Sequence, residues 1–511
     1  MQLDYESYQQ LHSEFTWDEA WTLVDGTPDD VNVTAECLDR HSGTAAQIKY
    51  DDGSTTVLTY ERLSRKAAQF ANLLEDLGVT ASDRVAIMLN PSEAFLVSFF
   101  GTMKHGAGAV PCSELFGPEA LSYRLTDSEA EVLVTSSDVA ESVDLGTVDT
   151  HILEDEFDDR IEPYSASFES STTGKDEAWV QYTSGTTGRP TAVPYHHESI
   201  VLFAPVMDFV LDFDRDDVCL TTSSTGWGTG IWMGTFAPLV HGITAGYYSG
   251  VFEPDHVVDA IDEFGVNVLI GVVPTAYRKL VDAVEGAGSS VTVEKANYVG
   301  EPIDPELSRA VTSSLGAFPR STYGVTEVRS IITLDYAFPD YEFRHGSMGK
   351  PMPGLEVTVV DDTESELPPG EIGYIAVRRS GELIVTSDAG YYDEAGYFWS
   401  AGRMDDTIIS AGYTIGPQEV EDSLRSHRAV VEAGVIGVPD EERGEVVKAF
   451  IDVREDPTDD LREDIRSYVR EKLSKHEYPR EIDFVPEIPK TPDGKIRRNR
   501  LREREGIETD G

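Results

Sequence analysis

The sequence predicts an α/β protein: a large N-terminal part made of several subdomains, then a small α/β C-terminal unit. Three observations carry this. Short β-branched runs alternate with helical patterns along most of the chain. The C-terminal stretch repeats that alternation with a complete set of its own. The chain has 511 residues, 40% of them apolar, too long for one ordinary domain and apolar enough for several cores.

The elements follow in chain order. RVAIMLN (84–90) is a buried strand stopped by Pro91. AFLVSFFGTM (94–103) is a buried helix, about half the ~20 residues a membrane span needs. EVLVTS (131–136) and VNVLIGVV (266–273) are strands, and Pro274 opens a helix carrying Tyr277, Leu280 and Val281. ANYVG (296–300) is a strand ending in a turn, and FPRS is a short strand before TYGVTE (322–327). TSDAGYYDEAGYFWSAGRMDD (386–406) reads as a hairpin with an aspartate and an arginine at its ends. GRMDD (402–406) is polar and opens with glycine, which puts the joint near Asp405: residues 1–404 before it, 405–511 after. Beyond it, GPQEVEDSLRSH (416–427) starts a helix with Pro417 in its first turn. Strands follow at VEAGVIGV (431–438) and VVKAFIDV (446–453). LREDIRSYVREKL (461–473) is an amphipathic helix with Leu461, Ile465, Val469 and Leu473 on one stripe.

Charge narrows the function. Lys+Arg is 41 against Asp+Glu 93, a net of -52. The acid is spread through EDEFDD (154–159), DFDRDD (212–217) and DPTDDLRED (456–464) rather than gathered in a tail. Self-repulsion of this size destabilises a compact state in dilute buffer, and salt screens it. Only 12 of the 41 basic residues are lysine. Together these predict a protein of a salt-loaded cytosol. A nucleic-acid face is disfavoured, because phosphate backbones need a basic patch. Cys37, Cys112 and Cys219 are far apart and read as buried fillers. No apolar signal region opens MQLDYESYQQ and no membrane span is expected, so a cytoplasmic place is expected.

Five stretches can carry chemistry. YTSGTTG (182–188) is rich in glycine and hydroxyls. It can wrap an anion with backbone N–H groups and hydroxyl donors; read alone, it is equally a surface turn. GEPID (300–304) follows a strand, where open α/β sheets bind ligands. TYGVTE joins an aromatic, a hydroxyl and a carboxylate: Tyr323 to stack on a base, Thr326 for a phosphate, Glu327 for Mg²⁺. An ordinary strand-to-helix loop explains it as well. Asp388 can accept from ribose hydroxyls and Arg403 can donate to the same sugar, or both are surface charges on a Gly-Tyr-rich hairpin. PKTPDGKIRR (489–498) exposes Lys495 on a Pro/Gly turn, a cation able to neutralise a phosphate in a transition state or simply a solvated charge.

In this order and spacing the five motifs resemble the AMP-forming acyl-CoA synthetases of the adenylate-forming superfamily. The resemblance runs over nearly the whole chain. GEPIDPE, GYTIGPQEVE, RGEVVKAF (443–450) and EYPREIDFV (477–485) are most similar to the medium-chain branch, with acetyl-CoA synthetases next. It implies an acyl-adenylate made from a carboxylic acid and MgATP. The small domain then swings so that coenzyme A can take the acyl group. Residue by residue it implies that Thr183, Ser184, Gly185, Thr186, Thr187 and Gly188 cradle phosphates. Gly300, Glu301 and Pro302 would flank adenine, with Tyr323 stacking on it. Thr326 would hold the α-phosphate, Glu327 the Mg²⁺, and Asp388 and Arg403 the ribose. Asp405 would be the hinge and Lys495 the adenylation lysine. Gly412, Tyr413, Arg443, Tyr478 and Arg480 match coenzyme A positions. Acetyl-specific relatives place tryptophan where Gly324 stands, so an acid longer than acetate is expected: medium-chain, branched or aryl. Trp227 would line the acyl pocket.

The sequence also departs from the family pattern. Thr191 replaces the phosphate-loop lysine and Ala192 a common glycine. Ser387 replaces the glycine of Thr-Gly-Asp, and Thr414 an arginine. The segment between Arg379 and Thr386 is shorter than in relatives. Arg189 is the nearest replacement cation in sequence. Two alternatives stand beside the ligase: a non-catalytic member that binds nucleotide or acyl-adenylate, and an enzyme that loads a carrier protein. The second is disfavoured by the chain ending soon after Lys495 without a carrier domain.

Overall fold

Runs with no polar member become inner strands, because both of their faces can be covered. The described residues of the computed structural model are 3–114, 116, 118–142, 148, 150–183, 190–287, 291–325, 328, 330–379, 381–410, 413–440, 443–454, 456–473, 478–490 and 496–507. They form two compact units. The first comprises Met1–Gly300, Ala310–Arg320 and Tyr336–Glu342; the second comprises Glu301–Arg309, Ser321–Asp335 and Phe343–Gly511.

Among the described residues the first unit holds two sheets. One has the strand order Thr150–Leu153, Val132–Thr135, Arg84–Met88, Gly108–Pro111, Glu177–Thr183, Thr191–His196. Its pairings are parallel except at the last strand, which is antiparallel. The other runs Lys295–Tyr298, Val268–Val272, Val218–Thr221, Thr244–Ser249, Thr44–Tyr50, Thr55–Thr59, again parallel up to an antiparallel edge.

Between strands lie helices with legible signals. Glu93–His105 is the expected apolar helix; Ser92 caps it by accepting from the Phe95 N–H, and it is buried from Ala94 to Lys104. It crosses Tyr60–Asp76 at Gly101, where a Cβ would stand 2.9 Å from the Ala67 carbonyl oxygen. Only glycine permits that approach. All three cysteines are free and buried, as expected of fillers, and burial pushes the Cys112 thiol up to about 12.

The second unit is richer in antiparallel pairing. Pro319–Val325 pairs with Ser330–Leu334, which pairs with Lys350–Pro351. This corrects the reading of TYGVTE as a loop after a short strand. Thr322 to Val325 continue the strand, because Ser330–Leu334 returns to pair with them. Four antiparallel strands follow in order: Glu356–Val360, Gly373–Arg379, Glu382–Tyr392 and Phe398–Arg403. The shortened segment is a tight hairpin, with Arg379 paired to Glu382.

Near the C-terminus, helices Pro417–Arg425 and Asp459–Lys472 pack on a sheet built around Val430–Asp440 and Gly444–Val453. Ile465 and Val469 of the anticipated stripe are fully buried, and Thr458 caps its helix through the Leu461 N–H. The architecture is thus mixed α/β with a large N-terminal part and a small C-terminal one. No helix of the described residues is long and apolar enough to cross a membrane.

Candidate active site

The two flanks of the stretch YTSGTTGRPTAV pair as antiparallel strands. Thr183 pairs with Thr191 and Tyr182 with Ala192. Thr191 is exposed and presents a short hydroxyl where the family resemblance leads one to expect a lysine. Neighbouring side chains fix both of the hairpin's ends. The Tyr182 hydroxyl donates to Asp127 Oδ2 at 2.8 Å. The Tyr123 hydroxyl donates to the Pro190 carbonyl at 3.1 Å. Ser184, Gly185, Thr186, Thr187, Gly188 and Arg189 lie outside the described residues.

One strand residue earlier, the buried Gln181 donates from Nε2 to the Gly226 carbonyl at 3.2 Å, which pins the loop before Trp227. The Trp227 ring meets Phe116 edge-on, centroids 5.4 Å apart. Gly300, after strand Lys295–Tyr298, has φ +87°, a left-handed turn that glycine makes without a Cβ penalty.

In the second unit, residues from separate motifs meet. The Tyr323 hydroxyl donates to Asp388 Oδ2 at 2.6 Å. Asp388 lies opposite Arg403 in the strand ladder, and Arg403 Nε donates to Asp405 Oδ1 at 3.1 Å. The aromatic, the two ribose candidates and the hinge candidate therefore form one polar chain along a sheet edge. Burial disfavours the Arg403 charge, but Asp405, Asp388 and Asp406 outweigh it and hold its pKa above the ordinary value. The link from Tyr323 to Asp388 spans 65 residues, and no local pattern announces it. Gly324 is exposed on the strand beside Tyr323. Glu301 and Pro302 are half-buried at the start of this unit. Thr326 and Glu327 lie outside the described residues.

The hinge candidate is anchored on its C-terminal side. The Asp405 carbonyl accepts from Arg502 at 3.2 Å, and Asp406 pairs with Arg502 at 2.8 Å. Arg498 grips the fully buried Glu421 with contacts of 2.6 and 2.7 Å. Lys495 lies outside the described residues; on either side of it, Lys490 and Ile496 form an antiparallel bridge. Lys490 pairs with the half-buried Glu432, so residues on both sides of Lys495 are tied to carboxylates.

The coenzyme A candidates are spread along this unit. Arg443 donates its backbone N–H to Asp440 at 2.9 Å. Tyr478 lies under two guanidinium groups, Arg480 at 5.2 Å and Arg470 at 5.4 Å. Tyr413 starts the strand Tyr413–Ile415, and Gly412 is outside the described residues.

Sequence reasoning missed Tyr123, Arg124 and Asp127, which brace the hairpin from helix Pro118–Ser128. A signal existed: Arg124 falls on the same helix face as the buried Leu121 and Leu125, where a charge is out of place.

A parallel sheet closed by an antiparallel edge strand at Thr191–His196, and a separate grouping of Tyr323, Asp388 and Arg403, fit a nucleotide-using ligase of the adenylate-forming class. The AMP-binding enzyme family model matches residues 34–386, and the model for the AMP-binding enzyme C-terminal domain matches 419–495. The chain belongs to the AMP-binding enzyme family. It is 33% identical to the acetyl-coenzyme A synthetase of Bacillus subtilis (strain 168), over 97% of this chain and 95% of that one. A crystal structure of Brucella canis acyl-CoA synthetase is 31% identical with a TM-score of 0.76, covering 98% and 99% of the two chains. The anthranilate CoA ligase AuaEII, solved with anthranoyl-AMP, is 27% identical with a TM-score of 0.84, covering 96% and 99%. The chain is an enzyme of the AMP-forming acyl-CoA ligase kind, whose small molecules are ATP with Mg²⁺, a carboxylic acid and coenzyme A.

Proposed function

We propose that this enzyme activates a carboxylic acid longer than acetate, whether medium-chain, branched or aryl, and passes it to coenzyme A. The observation that carries the site assignment is the grouping of Tyr323, Asp388 and Arg403, since residues from two separate motifs meet there. In this reading Tyr323 stacks on adenine beside Gly300, Glu301 and Pro302. Asp388 accepts from the ribose, and Arg403 stands beside it. Thr183 to Gly188 and Thr326 hold phosphates. Glu327 holds Mg²⁺, which supplies positive charge to the phosphate oxygens. Lys495 stabilises charge as the acid's carboxylate oxygen attacks the α-phosphorus and pyrophosphate departs. Rotation at Asp405 then withdraws Lys495. Gly412, Tyr413, Arg443, Tyr478 and Arg480 receive coenzyme A, whose thiol displaces AMP from the acyl carbon.

The preference for a longer acid rests on Gly324, which offers no side chain to close an acyl pocket; Trp227 is the second residue assigned to the acid. The net charge of -52 supports a salt-loaded cytoplasm as the working place. A second reading, nucleotide binding without turnover, is favoured by the missing cations at Thr191 and Thr414.

Pyrophosphate release in molar KCl separates the two, with MgATP and acids from acetate to decanoate plus benzoate, with and without coenzyme A. The ligase reading expects release dependent on one acid class and multiple turnover only with coenzyme A. Silence across the panel with ATP still bound selects the second reading. Lys495→Ala should lower acyl-adenylate formation by roughly a hundredfold or more, as loss of a transition-state charge contact does. An unchanged rate removes the role given to Lys495.

A further inference from the structure

Two adjacent aspartates at the joint are held from opposite sides. The exposed Asp405 side chain accepts at 3.1 Å from Arg403, the last residue of strand Phe398–Arg403. The Asp405 carbonyl accepts instead from Arg502 Nη2 at 3.2 Å. Asp406 turns to that second side. It is 8% exposed, and guanidinium groups from helix Arg498–Arg504 converge on its carboxylate. Arg502 Nη1 lies 2.8 Å from Oδ1 and Arg498 Nη1 3.5 Å from Oδ2.

The boundary between the two sides therefore falls inside one residue. Upstream contacts reach the Asp405 side chain, and downstream contacts begin at its carbonyl. A rotation that keeps both sets is absorbed by the Asp405 backbone. Everything after that carbonyl then moves with helix Arg498–Arg504.

The same helix carries the fastening on towards Lys495. Arg498 bonds Glu421 at 2.6 and 2.7 Å and the Val435 carbonyl at 3.2 Å. Leu501 is buried in a cluster with Ile436 and Ile488, and Ile496 packs against that cluster. Ile496 follows Lys495 directly and bridges Lys490, and the Arg497 N–H donates to the Pro489 carbonyl at 2.8 Å. The chain on both sides of Lys495 is thus fixed to the body that Asp406 holds. The coenzyme A candidates have a link of their own. Strand Ile408–Ser410, just past Asp406, pairs with Tyr413–Ile415 and, at Gly444, with the strand that follows Arg443.

We infer that Asp406 is a positioning residue for the adenylation step: it fastens helix Arg498–Arg504 to the joint, so that a turn about Asp405 is delivered to Lys495 without slack. This rests on the ligase reading and on the role given there to Lys495. Misplacing a group by about 1 Å at a reacting centre can cost roughly a hundredfold. A lysine carried on a turning unit therefore needs a stiff link to its pivot, and a buried carboxylate between two guanidinium groups supplies one.

The test separates the half-reactions in the full chain, in molar KCl, for the parent, Asp406→Ala, Lys495→Ala and the double variant. Adenylation is read as acid-dependent exchange of labelled pyrophosphate into ATP, using the acid of the panel above that releases most pyrophosphate. Thioester formation is read by supplying the synthetic acyl-adenylate of that acid with coenzyme A. Asp406→Ala should slow the exchange roughly ten- to a hundredfold, with the KM for ATP and the thioester step each within about threefold of the parent. On the Lys495→Ala background the same substitution should change exchange by less than about twofold, because Asp406 acts through Lys495. Equal exchange by parent and Asp406→Ala overturns the inference. So does equal loss in both half-reactions, which marks Asp406 as a stability residue, and so does full additivity in the double variant. Should Asp406→Ala not fold, Arg502→Met breaks the shorter contact from the other partner and should show the same split; loss of both steps equally, or of neither, overturns the inference. Lys495→Ala at the parent rate removes the role of Lys495 and the inference with it. A parent silent in both half-reactions fails the ligase reading itself, whereas a slow Lys495→Ala beside an unaltered Asp406→Ala fails this inference alone.

Discussion

Tyr323 shows what one residue does in this fold. Its ring is half-buried on an antiparallel strand, and its hydroxyl holds Asp388 at 2.6 Å. Removing the hydroxyl leaves the ring in place and takes one hydrogen bond from the carboxylate. Tyr323→Phe is expected to raise the KM for ATP by roughly three- to tenfold, less than the full worth of one hydrogen bond to a charged acceptor because the hydroxyl acts on the nucleotide only through Asp388, with the melting temperature little changed. Steady-state kinetics over ATP concentration checks this; an unchanged KM would separate the hydroxyl from nucleotide binding. The sequence marked Tyr323 and Asp388 individually. It did not pair them, because the contact depends on how two strands in different hairpins come together.

At the scale of elements, the C-terminal sheet and its helices are held by ion pairs inside an apolar core. Glu421 is 0% exposed, accepts the Val435 N–H at 2.9 Å and is gripped by Arg498. Burial pushes the Glu421 carboxyl up, while Arg498 and Arg425 pull it back; the two short contacts to Arg498 argue for an ionised pair. Truncating one partner leaves the other charge buried. Glu421→Ala is expected to cost about 3–5 kcal/mol, read from urea unfolding of the full chain. A loss near zero would mean that Arg498 finds water or another carboxylate. The periodicity of PQEVEDSLR placed this helix correctly, but a helical pattern says nothing about which glutamate turns inward. That is decided by Arg498, which follows Lys495 in the chain by three positions and so ties the helix to the lysine loop.

For the molecule as a whole, charge and buried histidine set the working conditions. The net of -52 predicts a melting temperature that climbs with KCl from dilute buffer to molar salt. His197 and His241 are buried in the first unit, and burial lowers both to about 4. His197 Nδ1 accepts the Val33 N–H at 3.0 Å and must be unprotonated to do so. The folded value lies below the unfolded one of about 6.5, so the unfolded chain binds more protons between the two. Stability is therefore full above about pH 6.5 and declines as the pH falls towards 4. Melting curves at fixed high salt should show this, and His197→Asn should flatten the slope; an unaltered slope would assign the acid sensitivity to carboxylates.

Sequence alone determined the class of fold, the order of the strands and helices, the family motifs and the acidity of the chain. Each is written locally, in periodicity, in turn residues or in composition. It also placed Asp388 and Arg403 at the two ends of one hairpin, because a hairpin's register follows from its turn. Tertiary structure alone decided that TYGV lies on a strand, that Tyr323 holds Asp388 and that Glu421 faces Arg498. These are contacts between segments distant in the chain. The physical reason is that burial, unlike periodicity, depends on which surfaces meet, and a charged side chain reveals its task only when its surroundings are known.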